Sequence, residues 1–448
     1  MKKSIILIGM PGSGKTEVSE RLARILCREH ADSDRIAEAE ENMSIAEIFR
    51  TKGEEYFRSC ETDILNRLAL SENIVISSGG GSVLRNSELI ANSFFVVYLK
   101  RCTEKIALSL KEGIRPLSKN AGELKKLYEE RHFMYENACD IIVENEGTEE
   151  MAAMEAALKY MSSVIGSESG SGTDGKKSKY LLAVIGNPVS HSLSPEIHSI
   201  FARDSGLECL YMPVCVTKEN LADFIYCAKN AGVRGFNITM PLKEQFAEHL
   251  DYISEEAKHT GAVNTAVIED GMLFGFNTDG IGFVMSLGKE ISGRANPNAL
   301  ILGAGGAAKA AAYALDSRGW NVTMSSRHPE KVITPAAGIR CISWDRICGE
   351  SQYADLIINA TPLGMSGNNE DFSDFTFLDN AKEDCVVYDL IYSPSQTSLM
   401  KYAAGKKMKT CSGLMMLVYQ AALAFELFTG RLPSAESIKK TAEYLLGR

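Results

Sequence analysis

The chain has 448 residues, 45% hydrophobic and 24% charged, with a formal net charge of −10. That length exceeds one ordinary domain, and the composition is that of a folded globular protein, which excludes the disordered and fibrous classes. The acidic balance argues against non-specific nucleic-acid binding, and eleven cysteines scattered without a CxxC pair read as the reduced thiols of a cytoplasmic protein.

The opening MKKSIILIGM imitates a signal peptide, but its apolar run is short and flows directly into a glycine-rich loop. SIILIG predicts a short buried strand. GMPGSGKT, Gly9 to Thr16, follows it, and then KTEVSERLARILCRE, whose Val18, Leu22, Ile25 and Leu26 recur at helical spacing. Strand, G-x-x-x-x-G-K-[ST] and helix is the order of a phosphate-binding loop. Gly12, Ser13 and Gly14 bring backbone N–H groups to the phosphates, the helix N-terminus adds its dipole, Lys15 reaches the β- and γ-phosphates and Thr16 ligates Mg²⁺. ATP with Mg²⁺ is the expected ligand.

Next, ADSDRI sets Asp32 and Asp34 two apart, so that on a strand end they would point the same way. GEEYFR brings Arg58, SSGGG brings Gly79 to Gly81, IRPL brings Arg115, and LYEERHFMYENACD brings Arg131. Guanidinium groups pair bidentately with carboxylates, so Arg58 and Arg131 suit an acceptor that carries one. Each arginine alone fits a solvated surface charge equally well; the ordered set speaks for a site. NIVISS and SFFVVYLK predict further strands with helical stretches between them, which makes this part α/β with a parallel sheet.

The set resembles shikimate kinase over nearly all of residues 1–165: a P-loop, a D-x-D pair, G-E-x-x-F-R, a GGG turn, an arginine in R-P-L and a late R-x-x-x-Y, in that order. The resemblance implies that Asp32 helps to hold Mg²⁺ through water. It makes Asp34 a ligand of the shikimate hydroxyls and the candidate base. Arg58, Gly80 and Arg131 would bind shikimate, and Arg115 would close over the phosphates as part of the catalytic and ATP-binding set. The chain departs from the family pattern at His30, usually aromatic, at Phe133, usually proline, and in the lid, where Lys111 stands near a missing arginine.

GSESGSGTDGKKS, residues 166–178, has no apolar residue. It reads as a flexible linker that would span roughly 20 Å as a coil.

Beyond it, YLLAVIG, GFNIT and AVNTAVI are strand-like. VIGNPVSHSLSPEIH places Ser192 and Ser194 in a polar turn before Pro195, where hydroxyls either bind a ligand carboxylate or cap the helix. His191 and His198 have no cysteine or acidic partner at metal spacing, so no zinc site is expected. GFNITMPLKE supplies Asn237, Thr239 and Lys243, the lysine expected on the opening turns of a helix begun by Pro241. GAVNT supplies Asn264 and Thr265, and FNTDG supplies Asn277, Thr278 and Asp279. Three such turns in succession suggest a pocket of amides and hydroxyls for a polyhydroxylated ligand.

NALILGAGGAAKAAAYALDSRG gives strand, glycine turn and Ala-rich helix. Gly303, Ala304, Gly305, Gly306, Ala307 and Ala308 fit G-x-G-x-x-A, the dinucleotide fingerprint. Where an NAD site carries an acid, this chain has TMSSRHPEK with Ser326 and Arg327; an arginine suits a 2′-phosphate, so NADP is expected. GLMMLVYQAALAFELFTG, Gly413 to Gly430, sits at the low edge of a membrane span but contains Gln420 and Glu426, and is expected to be a buried helix.

These blocks, with INATPLGM ending at Met365, YDLIYSPSQTSLM (Tyr388 to Met400) and GLMMLVYQAALAF, resemble shikimate dehydrogenase across residues 179–448. The resemblance implies a catalytic pair, Lys243 and Asp279. It implies shikimate contacts from Ser192, Ser194, Asn237, Thr239, Asn264, Tyr392 and Gln420, and cofactor contacts from Thr361, Gly413 and Met415. Ser325 and His328 stand where the family usually has asparagine and threonine. Residues 179–290 and 408–448 would form the substrate subdomain and 291–407 an NADP-binding, Rossmann-type subdomain.

The joint expectation is a bifunctional enzyme of chorismate and aromatic amino acid biosynthesis. Its second part would reduce 3-dehydroshikimate with NADPH, and its first would phosphorylate the shikimate with ATP. Its partners are small molecules, not nucleic acid or membrane. Two other readings exist. A quinate/shikimate dehydrogenase using NAD, fused to another small-molecule kinase, is opposed by Arg327. A non-catalytic nucleotide sensor is opposed by the presence of Lys15, Asp34, Lys243 and Asp279.

Overall fold

The computed structural model describes residues 4–110, 121–167, 179–288, 294–367 and 370–447. Arg115, Lys111 and residues 168–178 of the expected linker lie outside these residues. The chain divides into two compact units. One comprises Met1–Gly172, Asn187–Ser190 and Pro213–Val233, and the other Thr173–Gly186, His191–Met212 and Arg234–Arg448. No break in composition sets residues 213–233 apart from their neighbours.

The first unit is built on a parallel sheet of β1 (Ile5–Ile8), β2 (Glu29–Asp32), β3 (Ile74–Ser77), β4 (Phe95–Lys100) and β5 (Ile141–Glu144), in the order β2-β3-β1-β4-β5. Every residue of β1 and β3 is buried, as expected for strands covered on both faces. Ile6, Ile76 and Val96 pack with Tyr98 and Tyr135 on one face. Because β3, β1 and β4 run side by side in the same direction, the loops after β1 and β3 open at one edge, where parallel sheets hold ligands. The helix Lys15–Ile25 follows β1 and buries Val18, Leu22 and Ile25. The helix Glu149–Ser167 runs two residues into the stretch read as linker.

Two further sheets follow in the chain. The first has β6 (Lys179–Gly186), β7 (Glu208–Cys215), β8 (Gly235–Ile238), β9 (Tyr252–Ile253), β10 (Thr265–Glu269) and β11 (Met272–Phe276), in the mixed order β7-β6-β8-β10-β11-β9. The second is parallel throughout: β12 (Asn298–Leu302), β13 (Asn321–Ser326), β14 (Arg340–Ser343), β15 (Leu356–Asn359), β16 (Val386–Asp389) and β17 (Lys409–Ser412), ordered β14-β13-β12-β15-β16-β17. From the central β12 the chain leaves first to one side and then to the other, so the loop after β12 sits at the switch point where dinucleotides bind. β17 falls on the far side of the 407/408 boundary read from sequence, yet it pairs with β16 from Val386↔Lys409 to Asp389↔Ser412. Lys-Thr-Cys-Ser has no apolar run to mark an edge strand.

The apolar segment after Gly413 is the helix Leu414–Thr429. It crosses the helix Asp279–Leu287 so closely that a Cβ at Gly282 would lie 2.7 Å from Gln420 N. Among the described residues no helix is long and apolar enough to cross a membrane.

Candidate active sites

In the first unit the loop glycines take conformations that side chains resist: Gly12 has φ 78° and Gly14 φ 90°. Lys15 Nζ donates to Gly9 O at 3.0 Å and Met10 O at 2.9 Å, so the lysine folds the loop around itself. Thr16 Oγ1 donates to Asp32 Oδ2 at 2.9 Å and lies 3.3 Å from Ser77 Oγ. A hydroxyl and a carboxylate at this spacing, beside a phosphate loop, suit a hard, oxygen-seeking cation such as Mg²⁺. No group of three or more His, Cys, Asp or Glu side chains forms a metal cluster among the described residues; Mg²⁺ shared with phosphates and water needs none.

Asp32 and Asp34 do not share a strand face. β2 ends at Asp32, whose Oδ1 caps the helix Ser33–Glu41 by accepting from Asp34 N at 3.0 Å and Arg35 N at 3.1 Å. Asp34, the second residue of that helix, faces the glycine turn: a Cβ at Gly79 would lie 2.7 Å from both Asp34 Oδ1 and Glu61 Oε1. Arg58 packs under Gly81 and is held by Glu61 at 3.0 Å and Glu54 at 3.2 Å. Gly80 O accepts from Arg131 Nη1 at 3.2 Å and from Tyr135 OH at 2.6 Å. Asp34, Arg58, Gly80 and Arg131 thus converge, while Arg115 lies outside the described residues. Glu61 escaped sequence reasoning. It is buried, accepts from Ser82 Oγ at 2.5 Å and fixes Arg58; its signal was its place three residues after that arginine on the helix Glu54–Leu68. Burial pushes the Tyr135 phenol up to about 12, against the pull of Arg131.

In the second unit Lys243 Nζ stands 2.6 Å from Asp279 Oδ2. The lysine is not on a helix: it lies in a turn between β8 and the 3-10 helix Gln245–His249, tied back by Val263 N donating to Lys243 O at 2.8 Å. Asp279 opens the helix Asp279–Leu287, and its Oδ1 accepts from Asn264 Nδ2 at 2.7 Å. Leu193 stands at the cap of the helix Ser194–Ser205 and makes no side-chain cap bond; Ser192 Oγ accepts from Ser194 N, the first N–H of the helix, at 3.3 Å.

A cleft of about 1270 Å³ is lined by Thr239 and Lys243, by Gly305 and Gly306 of the glycine turn, and by Thr361 and Tyr392. His191, set aside as a metal ligand, lines it too. Asp279 and Asn264 lie successively one hydrogen bond further in. Gln420 and Met415 are not among the lining side chains, and Gln420 Nε2 donates within its own helix to Leu417 O at 2.8 Å. Gly303 has φ 113° and a Cβ there would lie 3.0 Å from Ala360 O, whereas nothing lies within 4 Å of one at Gly305. The N-terminus of the helix Gly306–Asp316 is therefore open to a pyrophosphate.

Ser326 and Arg327 follow at the end of β13. Arg327 is exposed and pairs with no side chain among the described residues, which suits a 2′-phosphate; the buried Ser325 instead turns to Ile301 O at 3.3 Å. Thr361 is fixed by Asn359 Oδ1, which accepts from its N at 3.0 Å and its Oγ1 at 2.7 Å. Asn359 in turn donates to Asp389 Oδ1 at 3.0 Å. Burial pushes the Asp389 carboxyl up, opposed by Thr397, Ile391 and Asn359. The residues present fit NADP(H).

Comparison with known proteins finds two families in chain order. Residues 11–162 match the family model of shikimate kinase. Residues 184–266 match the shikimate dehydrogenase substrate binding domain, and 413–443 the shikimate 5′-dehydrogenase C-terminal domain. The shikimate dehydrogenase (NADP(+)) of Methanocaldococcus jannaschii is 40% identical over 268 residues, 58% of this chain and 94% of its own. The chain belongs to the shikimate dehydrogenase family.

Its dehydrogenase part is similar to the crystal structure of shikimate 5-dehydrogenase from Thermus thermophilus in complex with NADP(H) and shikimate, with TM-score 0.52 and 36% identity over 59% of this chain and 99% of that one. It is also similar to a chorismate mutase/shikimate 5-dehydrogenase fusion protein from Clostridium acetobutylicum, with TM-score 0.56 and 31% identity over 60% and 98% of the two chains. Ahead of the dehydrogenase part the chain carries a shikimate kinase domain.

Proposed function

We propose that the two parts work on one small molecule in succession: NADPH-dependent reduction of 3-dehydroshikimate to shikimate in the second unit, then ATP-dependent phosphorylation to shikimate 3-phosphate in the first. The observation that carries this reading is the Lys243–Asp279 pair, 2.6 Å apart, in a cleft that also contains the glycine turn. Reduction of a ring ketone places negative charge on its oxygen, and a proton must arrive there. Lys243 Nζ delivers it, while Asp279 holds the ammonium and takes part in orienting the hydroxyl formed. NADPH, when bound, would supply the hydride; Gly303 to Ala307 would receive its pyrophosphate, Ser326 and Arg327 its 2′-phosphate, and Gly413 would contact the cofactor, with Thr361 and, by family resemblance, Met415 near the nicotinamide. Ser192 and Ser194 take the substrate carboxylate, and Asn237, Thr239, Asn264, Tyr392 and Gln420 its ring substituents.

In the kinase domain Lys15, Ser13, Gly14 and Gly12 hold the phosphates, and Thr16 and Asp32 would hold Mg²⁺, which neutralises phosphate charge when bound. Arg58, Gly80 and Arg131 hold shikimate, Asp34 accepts or orients its hydroxyl proton, and Arg115 closes over the phosphates. One chain raises the local concentration of shikimate for the second step. The cytoplasm is the compartment this reading favours, in keeping with eleven cysteines that are all free.

Two variants test the reading. Lys15→Ala should lose phosphorylation of shikimate and keep NADPH oxidation by 3-dehydroshikimate, and Lys243→Ala should do the reverse. Loss of both activities in either variant, with the fold intact, would contradict two separate sites.

A further inference from the structure

Behind the Lys243–Asp279 pair runs a hydrogen-bond chain whose far end is a residue that no motif marks. Tyr211, on β7, is buried, and its hydroxyl stands 2.7 Å from Asn237 Oδ1. An amide oxygen only accepts, so the phenol donates. Asn237 Nδ2 donates to Asn264 O at 3.3 Å and to Thr265 Oγ1 at 3.0 Å. Thr265 Oγ1 passes its own proton to Asn264 Oδ1 at 2.9 Å. Asn264 Nδ2 donates to Asp279 Oδ1 at 2.7 Å, and the other oxygen of that carboxylate holds Lys243 at 2.6 Å.

Every member from Tyr211 to Asp279 is buried, at no more than 7% exposure, where an unmet polar group is costly. The chain also has one sense. Reversing the Asn237 amide would set its oxygen against Asn264 O. In the observed sense both Asn237 protons are spent on the protein, so only the amide oxygen remains for a ligand. Asn237 therefore offers an acceptor, which selects a ligand hydroxyl that donates.

A further contact fixes Tyr211. Its ring lies on the His198 imidazole, with centroids 4.2 Å apart and planes 10° from parallel. Phe201, Phe425 and Phe428 surround that imidazole, and burial pushes it down to about 3, so it backs the tyrosine as a neutral plate.

We infer that Tyr211 is a positioning residue of the dehydrogenase: its hydroxyl sets the sense of the Asn237 amide toward shikimate and, through Thr265 and Asn264, the carboxylate that holds Lys243. The inference rests on the reading of Asn237 as a shikimate ligand. Tyr211→Phe in the full chain, assayed as shikimate oxidation with NADP⁺, keeps the ring and its stack. Its KM for shikimate should rise about ten-fold, the effect of one lost buried hydrogen bond. Its KM for NADP⁺ and its shikimate kinase activity should stay within about two-fold of wild type. Added to Asn237→Ala, it should cost nothing more, because both act through one amide.

A wild-type shikimate KM in Tyr211→Phe overturns the inference. So does an equal rise in both KM values, which marks general loosening, and so do losses that multiply in the double variant. If Asn237→Ala impairs shikimate binding and Tyr211→Phe does not, the ligand role of Asn237 survives and that of Tyr211 falls. If Asn237→Ala is itself unimpaired, both fall.

Discussion

In the kinase domain the groups that face the nucleotide are largely backbone: Gly12 and Gly14 at positive φ, a helix N-terminus, and one lysine folded onto carbonyls of its own loop. In the dehydrogenase the reacting carboxylate is held chiefly by side chains, Asn264 bracing Asp279, and Thr265 and Asn237 bracing Asn264. Phosphoryl transfer asks for in-line placement and charge neutralisation, which rigid N–H groups and cations supply. Proton delivery to a carbonyl asks for one ammonium kept at one place, which a fully satisfied buried network supplies. The contrast teaches where each site is vulnerable: the first to changes of backbone conformation and of charge, the second to isosteric changes that alter only a hydrogen-bond pattern.

The sharpest way to break that contrast is Asp279→Asn. It keeps the shape but removes the charge that holds Lys243, so dehydrogenase kcat should fall on the order of 10³-fold, within the usual range for disabling acid–base machinery, with shikimate kinase turnover unchanged. A fall of less than ten-fold would mean that Lys243 is positioned without its carboxylate.

Next in size is Arg327→Ala. An exposed arginine with no protein partner among the described residues should lose a charge-assisted contact worth about 1.5–3 kcal/mol. KM for NADPH should rise about 10- to 150-fold while KM for NADH stays put; equal losses for both would remove Arg327 from the 2′-phosphate site.

Glu61→Gln probes the kinase side in the same isosteric manner. It weakens the grip on Arg58, whose pair with Glu61 is almost wholly shielded, with 11% and 2% side-chain exposure. KM for shikimate in the phosphorylation assay should rise about ten-fold, with KM for ATP little changed. An unchanged value would show that the arginine is held by Glu54 and the glycine turn.

The smallest effect concerns pH. His198 in the folded protein takes a proton only near pH 3, whereas its ordinary value is 6.5. The unfolded chain therefore binds one proton more than the folded one as pH falls from 6.5 toward 3, and stability declines in that window by at most ~1.4 kcal/mol per pH unit. Above the window this histidine contributes no pH dependence. His198→Phe should flatten the slope by about one proton in denaturant titrations of the full chain; an identical slope would mean that the imidazole is charged or hydrated when folded.

These contrasts also explain what the sequence disclosed. The loop Gly9–Thr16 and the turn Gly303–Ala308 were legible because backbone chemistry demands glycine at fixed spacing, and the buried runs of β1, β3 and β12 were legible as unbroken apolar strings. Lys243 and Asp279 were legible through family resemblance, and the fold sets them 2.6 Å apart. The turn that carries Lys243 was misread because a proline before a lysine also opens helices. Asp32 does end its strand, but Asp34 falls in the helix that Asp32 caps, because a strand end and a helix cap share the same residue types. Tyr211 left no mark, because a tyrosine in a strand looks like ordinary core and only folding brings it to an amide; Glu61 had only its place three residues after Arg58 on a helix, which an ordinary surface pair shares. β17 went unnoticed for want of any apolar residue longer than cysteine.

The most direct test of two active sites serving one molecule is a single-pot balance with the purified wild-type chain, supplied with 3-dehydroshikimate, NADPH, ATP and Mg²⁺. Shikimate 3-phosphate should accumulate until it equals the NADPH oxidised, with shikimate as a transient and with neither product formed when NADPH is left out. NADPH oxidation that stops at shikimate, or no NADPH oxidation at all, would contradict the account.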